Sequence, residues 1–152
     1  MKTLIAYFSL SGVTKKAAER IQNLTGADLF EIKGEKNYGG YMKAIAIGGK
    51  EIATKEMPVV TTHVKDFDSY DRILLGFPVW YGTCPRLIRT FASEYDFTGK
   101  DVYVFCTSGS SGPEKSQKTV AEICKGAVAH SAIRISGQTD DEIKEWLMKK
   151  CE

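Results

Sequence analysis

A doubly wound α/β domain, with a five-stranded parallel sheet between two helical layers, is what this sequence predicts. Two observations carry that expectation. Short β-branched or aromatic runs alternate with longer amphipathic stretches along the whole chain, and strands alternating with helices build a parallel sheet covered on both faces. The runs themselves have few polar breaks, as strands buried on two sides require. With 152 residues, 43% hydrophobic and 26% charged, the chain can bury a substantial core. One domain over residues 1–152 is expected, since no repeat, low-complexity tract or linker divides the sequence.

The elements follow in order. Thr3–Ser9 (TLIAYFS) reads as a central strand. The next stretch places Val13, Ala17, Ile21 and Leu24 on one helical face, with Gly26 as its stop. Ala27–Lys33 alternates like a strand nearer an edge, and Tyr41–Thr54 reads as a helix weakened by Gly48 and Gly49 and ended before Pro58. Arg72–Phe77 is a third strand, cut off by Pro78, and PRLIRTFASEYD is a helix with Pro85 in its first turn. Asp101–Thr107 is the fourth strand, followed by a helix opened by Pro113 and Glu114 and closed near Gly126. Residues 127–136 (AVAHSAIRIS) read as a fifth strand. The terminal helix has Thr139 as cap, acids in its first turn and lysines in its last, matching the helix dipole.

Bulk properties exclude several roles. A net charge of +2, with basic residues no more clustered than Lys15–Lys16 and Lys149–Lys150, argues against nucleic acid. Cys84, Cys106, Cys124 and Cys151 lack CxxC spacing and clustered histidines, so no metal is expected and the thiols are expected to be free. The apolar stretch after Lys2 turns polar by Ser9, too short for a secretory signal. No run approaches the roughly 20 residues of a membrane span. A cytoplasmic protein without membrane contact is the expectation. His63 and His130 are isolated, as surface or strand histidines would be.

In this architecture ligands sit beyond the carboxyl ends of the strands, where strand order reverses. The loops there read SLSGVT, PVWYGTCP and TSGSSG, all poor in charge. The first opens a helix, where unpaired amides and the positive dipole end suit a phosphate. It lacks the lysine and spacing of a Walker loop and the GxGxxG of a dinucleotide turn. A helix cap alone is the other reading of Ser11 and Gly12. In the second loop, Trp80 and Tyr81 at a strand end ask for a flat partner, or form a lid or subunit contact. In the third, small hydroxyls and glycine offer backbone to the edge of a heterocycle. Together the loops describe a ligand with a phosphate at one end and a planar polar ring at the other.

The segments LIAYFSLSGVTK, NYGGYMKAI, YDRILLGFPVWYGTCPRLIRTF and FTGKDVYVFCTSGSSG resemble a short-chain bacterial flavodoxin in order and spacing along almost the whole chain. The resemblance implies strand order 2-1-3-4-5 and flavin mononucleotide (FMN) as cofactor. It also implies roles for single residues. Ser9, Leu10, Ser11, Gly12, Val13 and Thr14 would wrap the FMN phosphate. Pro78, Val79, Trp80, Tyr81 and Gly82 would line the isoalloxazine, with Trp80 the stacking ring. Thr107, Ser108, Gly109 and Gly112 would meet the ring's other side and the ribityl chain, and Tyr38 and Tyr41 would approach from the loop after the second strand. Gly82 would permit a peptide turn near the flavin, so that alanine there should shift the one-electron potential.

The sequence also departs from the family pattern. Val13 stands where many relatives have asparagine, the 107–112 loop has no aromatic, and the surface is slightly basic rather than acidic. The implied function is electron transfer through the flavin to a redox partner protein. The alternative is an FMN-dependent NAD(P)H oxidoreductase acting on quinones or nitro compounds. A monomer or weak dimer is expected. A receiver domain is excluded by the absence of acids after the first strand and of a phosphoacceptor aspartate after the third. A cysteine phosphatase is excluded because only four residues separate Cys84 from Arg89 and Pro85 removes a needed N–H.

Overall fold

A computed structural model describes residues 1–149. The strands are β1 (Thr3–Tyr7), β2 (Asp28–Glu31), β3 (Arg72–Pro78), β4 (Asp101–Thr107), β5 (Val128–Ala129) and β6 (Ile133–Arg134). The helices are α1 (Val13–Thr25), α2 (Tyr41–Thr54), α3 (Arg86–Ser93), α4 (Glu114–Ile123) and α5 (Asp140–Met148). The sheet is parallel in the order β2-β1-β3-β4-β5, with β6 also on β4. That is the 2-1-3-4-5 order expected from the sequence.

Period-two alternation divides the core into two layers. Leu4, Ala6, Ile73, Leu75, Phe77, Val102 and Val104 point to the layer that holds Leu87, Ile88 and Phe91 of α3. Ile5, Tyr7, Leu74, Tyr103 and Phe105 point the other way, onto Ala17, Ala18 and Ile21 of α1 and Ile143, Trp146 and Leu147 of α5. Gly76 stands directly opposite Phe105 in the β3–β4 register, and a Cβ at Gly76 would overlap that buried ring. Arg20 on α1 pairs with Asp140 on α5 at 2.8 Å. Thr139 and Glu142 close a reciprocal capping box at the start of α5.

Several boundaries differ from the sequence expectation. β1 ends at Tyr7 and β2 spans only Asp28–Glu31. Val13 is 59% exposed, and the buried stripe of α1 starts instead at Thr14, followed by Ala17, Ala18 and Ile21. The last turn of α5 carries no base, since the helix ends at Met148 and Lys149 follows it; Lys150 and Cys151 lie outside the described residues. The fifth strand is broken in two. Val102 pairs with Ala129 and Phe105 with Ile133, so three residues face two, the count of a β-bulge. Side chains take over the backbone there. Trp146 Nε1 donates to the Ser131 carbonyl (2.6 Å), and the Ala132 N–H donates to Gln117 Oε1 (2.9 Å). His130 is buried within the bulge, stacked on Tyr103 and bonded to Asp101. At the opposite flank residues 59–62 run antiparallel along the end of β2. Gly34 bridges Val60, and Thr61 N–H donates to the Lys33 carbonyl.

Cys84, Cys106 and Cys124 are free and buried. Burial pushes Cys84 and Cys106 up to about 11 and Cys124 up to about 12, from an ordinary value of 9.0. Between those values the unfolded chain gives up thiol protons that the folded chain keeps. Stability is therefore full below about pH 9 and falls as pH rises towards 11, by roughly 1.4 kcal/mol per pH unit for each thiol. Urea midpoints across pH 8–11 should show this slope, and Cys84→Ala should make it shallower. An unchanged slope in that variant would remove Cys84 from the account.

Candidate functional site

The carboxyl ends of β1, β3 and β4 bring three loops together. Gly12 ends the first loop in the left-handed region (φ 96°), a conformation nearly free only for glycine. This bend lets Ser9 Oγ fold back and accept from the N–H groups of Gly12 (3.1 Å) and Lys15 (3.2 Å). Ser9 thus satisfies one first-turn amide of α1 from outside the helix, whose N-cap residue is Gly12. Among the described residues, the N–H groups of Val13 and Thr14 at the start of α1 have no protein acceptor. They are the amides an anion would find. Thr14 Oγ1 and Thr107 Oγ1 lie 2.7 Å apart, both buried, tying the first loop to the third. One hydroxyl proton closes that bond, and the other is left to donate elsewhere.

The second loop is a tight hairpin. Trp80 and Thr83 exchange both backbone hydrogen bonds (2.8 and 3.1 Å) around Tyr81 (φ 52°) and Gly82 (φ 80°). Two consecutive positive φ values are the signature of a type I′ turn, which matches the strand twist. Trp80 meets Tyr38 and Phe8 edge to face at centroid distances of 5.1 and 5.5 Å. Its ring also rests on α2 at Gly48, where a Cβ would come within 3.0 Å of Trp80 Cε3. The Tyr81 hydroxyl donates to the Ile45 carbonyl (2.8 Å) and sits over Gly49. Two glycines weaken a helix by about 1 kcal/mol each relative to alanine. Here they are the seats of the two aromatics. Behind Trp80, the Tyr38 hydroxyl donates to the carboxylate of buried Glu51 (2.9 and 3.0 Å), which also pairs with Lys36. Burial first, and then the Glu51 carboxylate, raises the Tyr38 pKa.

Arg134 secures the third loop. Its Nε donates to Ser108 Oγ (3.0 Å), and its Nη2 to the carbonyls of Ser108 (3.3 Å) and Gly109 (2.8 Å). Ser108 Oγ in turn donates to the Ser111 carbonyl (2.6 Å). Arg134→Ala should leave the fold intact but loosen this loop. Amide exchange at Ser108–Ser111 is expected to quicken about tenfold or more, from the loss of charge-assisted bonds worth roughly 1.5–3 kcal/mol. Unaltered exchange there would show that the loop holds itself.

Between the loops lies a cleft of about 710 Å³, within the ~300–1,000 Å³ range of small-molecule sites. Of the residues singled out from sequence, Leu10, Ser11, Val13, Thr14, Pro78, Val79, Trp80, Thr107, Ser108 and Gly109 line it. Tyr81 lines instead a neighbouring annex of about 220 Å³, while Tyr41 lines both spaces. Ser9, Gly12, Gly82 and Gly112 line neither: Gly82 faces Lys115 and Gly112 faces Glu114. Tyr38 is buried behind Trp80. Ser110, Ser111, Ile135 and Ser136 line the cleft without having been expected to, and among the described residues no charged side chain lines either space.

A flavodoxin family model matches residues 2–150. The chain belongs to the flavodoxin family. Three solved structures are similar to this family member over nearly their full lengths. A candidate flavoprotein from Bacteroides uniformis is 31% identical, with 97% of this chain and 98% of that one covered and a TM-score of 0.86. A second, from Bacteroides eggerthii, is 27% identical over 97% and 96% of the two chains, with a TM-score of 0.89. A flavoprotein from Lactobacillus acidophilus, solved in complex with FMN, is 28% identical over 96% and 98%, with a TM-score of 0.80. No curated protein matches this flavodoxin-family chain.

Proposed function

We propose that this protein binds FMN in the 710 Å³ cleft and carries electrons through it to a redox partner protein. The observation that carries the reading is the pairing of two ends in one uncharged cleft. Acceptor-free amides at a helix start lie at one end, and an anchored tryptophan at the other. The family likeness and the FMN-bound relative support it.

The chain's own residues divide the work. The Val13 and Thr14 amides and the spare Thr14–Thr107 proton would hold the phosphate, with Ser11 adding a hydroxyl at the rim. Leu10, Pro78, Val79 and Trp80 would line one side of the ring system, and Thr107, Ser108 and Gly109 the other. Trp80 is a rigid wall because Phe8, Tyr38 and Gly48 hold it from behind. Bound FMN supplies one- or two-electron redox chemistry. Holding the Ser108–Ser111 loop through Arg134 would keep water from one side of the ring.

Titration of the purified protein with FMN, read by flavin absorbance and tryptophan emission, tests this reading. Saturable binding is expected, with quenching of Trp80 and little change at Trp146, which is buried on the sheet-facing side of α5. At a hundredfold excess over Kd, FMN should add about 2.7 kcal/mol of stability. Failure of both FMN and riboflavin to bind would overturn the assignment. An NAD(P)H-dependent oxidoreductase is the second reading, favoured by the exposed aromatic residues Tyr41 and Tyr81 that line the annex. Fast bleaching of the loaded protein by NADPH would select the enzyme, and a stable yellow colour the carrier.

A further inference from the structure

A surface helix with no partner turns charged residues of both signs to solvent. Lys16 and Glu19 do so on α1, Lys118 and Glu122 on α4, and Lys144 and Glu145 on α5. The outward face of α2 is dressed differently. At 3.6 residues per turn its outermost ridge is Met42, Ala46, Gly49 and Ala53, without one polar side chain. Tyr41 and Ile45 flank the ridge on one side, where the Tyr81 hydroxyl sits over Gly49. These are large apolar groups left in solvent: Met42 is 77% exposed, Tyr41 73% and Tyr81 54%. Exposed apolar groups gathered in one place mark a binding surface more often than scattered ones do. The other flank holds Lys43 and Lys50, and Lys55 follows the helix end, all exposed. The one acid within α2, Glu51, is turned inward, 1% exposed and engaged by Tyr38 and Lys36. The next acid along the chain, Glu56, is also paired with Lys36. Every charge that α2 shows to solvent is therefore positive.

We propose that the outward face of α2 docks an acidic protein, one whose contact surface sets carboxylates around an apolar centre. Charge complementarity selects that occupant. Carboxylates would meet Lys43, Lys50 and Lys55 with no exposed acid of α2 to oppose them. A second copy of this chain would bring the same lysines against one another, whichever way it turned. The Met42–Ala53 ridge supplies the apolar middle of a protein interface, and the lysines supply its charged rim. The face also lies on the wall of the candidate site. Trp80 rests on Gly48 from the inner side of the helix, and Tyr41 lines both the cleft and the annex. A protein seated on α2 is separated from Trp80 by the thickness of one helix, about 10 Å. That this partner is a redox protein rests on the electron-carrier reading; the docking face and the sign of the partner's charge do not.

The test titrates the full chain with the soluble domain of cytochrome b5, a small acidic redox protein, and follows amide chemical shifts. Cytochrome c, which is basic, is the control. Saturable shifts are expected with cytochrome b5 at Met42, Lys43, Ala46, Lys50 and Ala53, with Lys118 and Lys144 unmoved, and none with cytochrome c. Affinity should fall about tenfold or more between about 20 and about 200 mM NaCl, as screening removes the attraction. The double reversal Lys43→Glu with Lys50→Glu should weaken cytochrome b5 about tenfold or more at low salt. Lys125→Glu with Lys144→Glu, which changes the net charge equally, should weaken it far less. Absence of saturable shifts on α2 in the wild-type protein would overturn the proposal without any variant. So would equal losses in the two double variants, since net charge alone would then account for binding. Two other occupants would overturn it as well: self-association of the wild-type protein through α2 in sedimentation, or α2 shifts produced by vesicles of phosphatidylcholine and phosphatidylserine and not by cytochrome b5. The titration is run without FMN and repeated with it. A protein that takes up no FMN fails the preceding reading instead, while the α2 shifts without FMN still decide this one.

Discussion

Gly76→Ala should lower folding stability by about 3 kcal/mol, the upper end of what overpacking a core costs. The cause is local. Gly76 and Phe105 are direct cross-strand partners in the middle of the sheet, and the Phe105 ring lies across the space a Cβ would take. Phe105 is fully buried between β4 and the α1–α5 layer, so the ring has nowhere to retreat. Denaturant unfolding monitored by circular dichroism reads the loss. A double-mutant cycle adds a sharper test. Phe105→Leu alone should destabilise by leaving a cavity, yet on the Gly76→Ala background it should cost much less or improve stability, because each change makes room for the other. Additive losses, or a Gly76→Ala variant within 0.5 kcal/mol of wild type, would mean the two residues do not compete for space.

Val13→Glu should separate folding from cofactor binding. Val13 is the first residue of α1, exposed, and its N–H is one of the acceptor-free amides. A carboxylate at a helix start is favourable by about 0.3–1 kcal/mol, so the thermal midpoint should hold or rise. A phosphate dianion held at the same amides would meet a like charge within a few ångströms, worth several kcal/mol at an effective dielectric near 20. FMN affinity should fall about a hundredfold, while riboflavin, which lacks the phosphate, should bind as before. An equal loss for both flavins would move the phosphate away from the α1 start.

How much of this was legible depended on range. β3 and β4 could be read from sequence because their apolar runs are long and bounded by Pro78 and Thr107–Ser108. The phase of α1 was misread at Val13 because a valine at a helix start looks like core, whereas Thr14 is the residue that reaches inward to Thr107. Gly48 and Gly49 weaken the reading of α2 without ending it, and their reason lies more than thirty residues away, in the Trp80 and Tyr81 rings seated on them. Glu51 gave no signal, because a glutamate in a helix reads as surface; its burial is set by Tyr38 and Lys36 from the preceding loop. Arg134 was hidden in the same way, in a segment that reads as one strand. The three loops themselves were visible because hydroxyls, glycines and aromatics at strand ends are locally unusual. What holds each loop in place is long-range, and composition does not record it.

The two flanks of the sheet bear on behaviour in concentrated solution. A parallel sheet normally ends in a row of unpaired amides and carbonyls, a template on which another chain can crystallise a strand. Here one flank is two residues, a bulge and two residues, with the intervening backbone engaged by Trp146 and Gln117. The other is a four-residue strand whose continuation is already taken by Thr61 and Thr62. Neither rim offers a straight, hungry ladder long enough to copy. The protein should resist edge-to-edge aggregation even when crowded, and polymerisation should need one rim to come undone first.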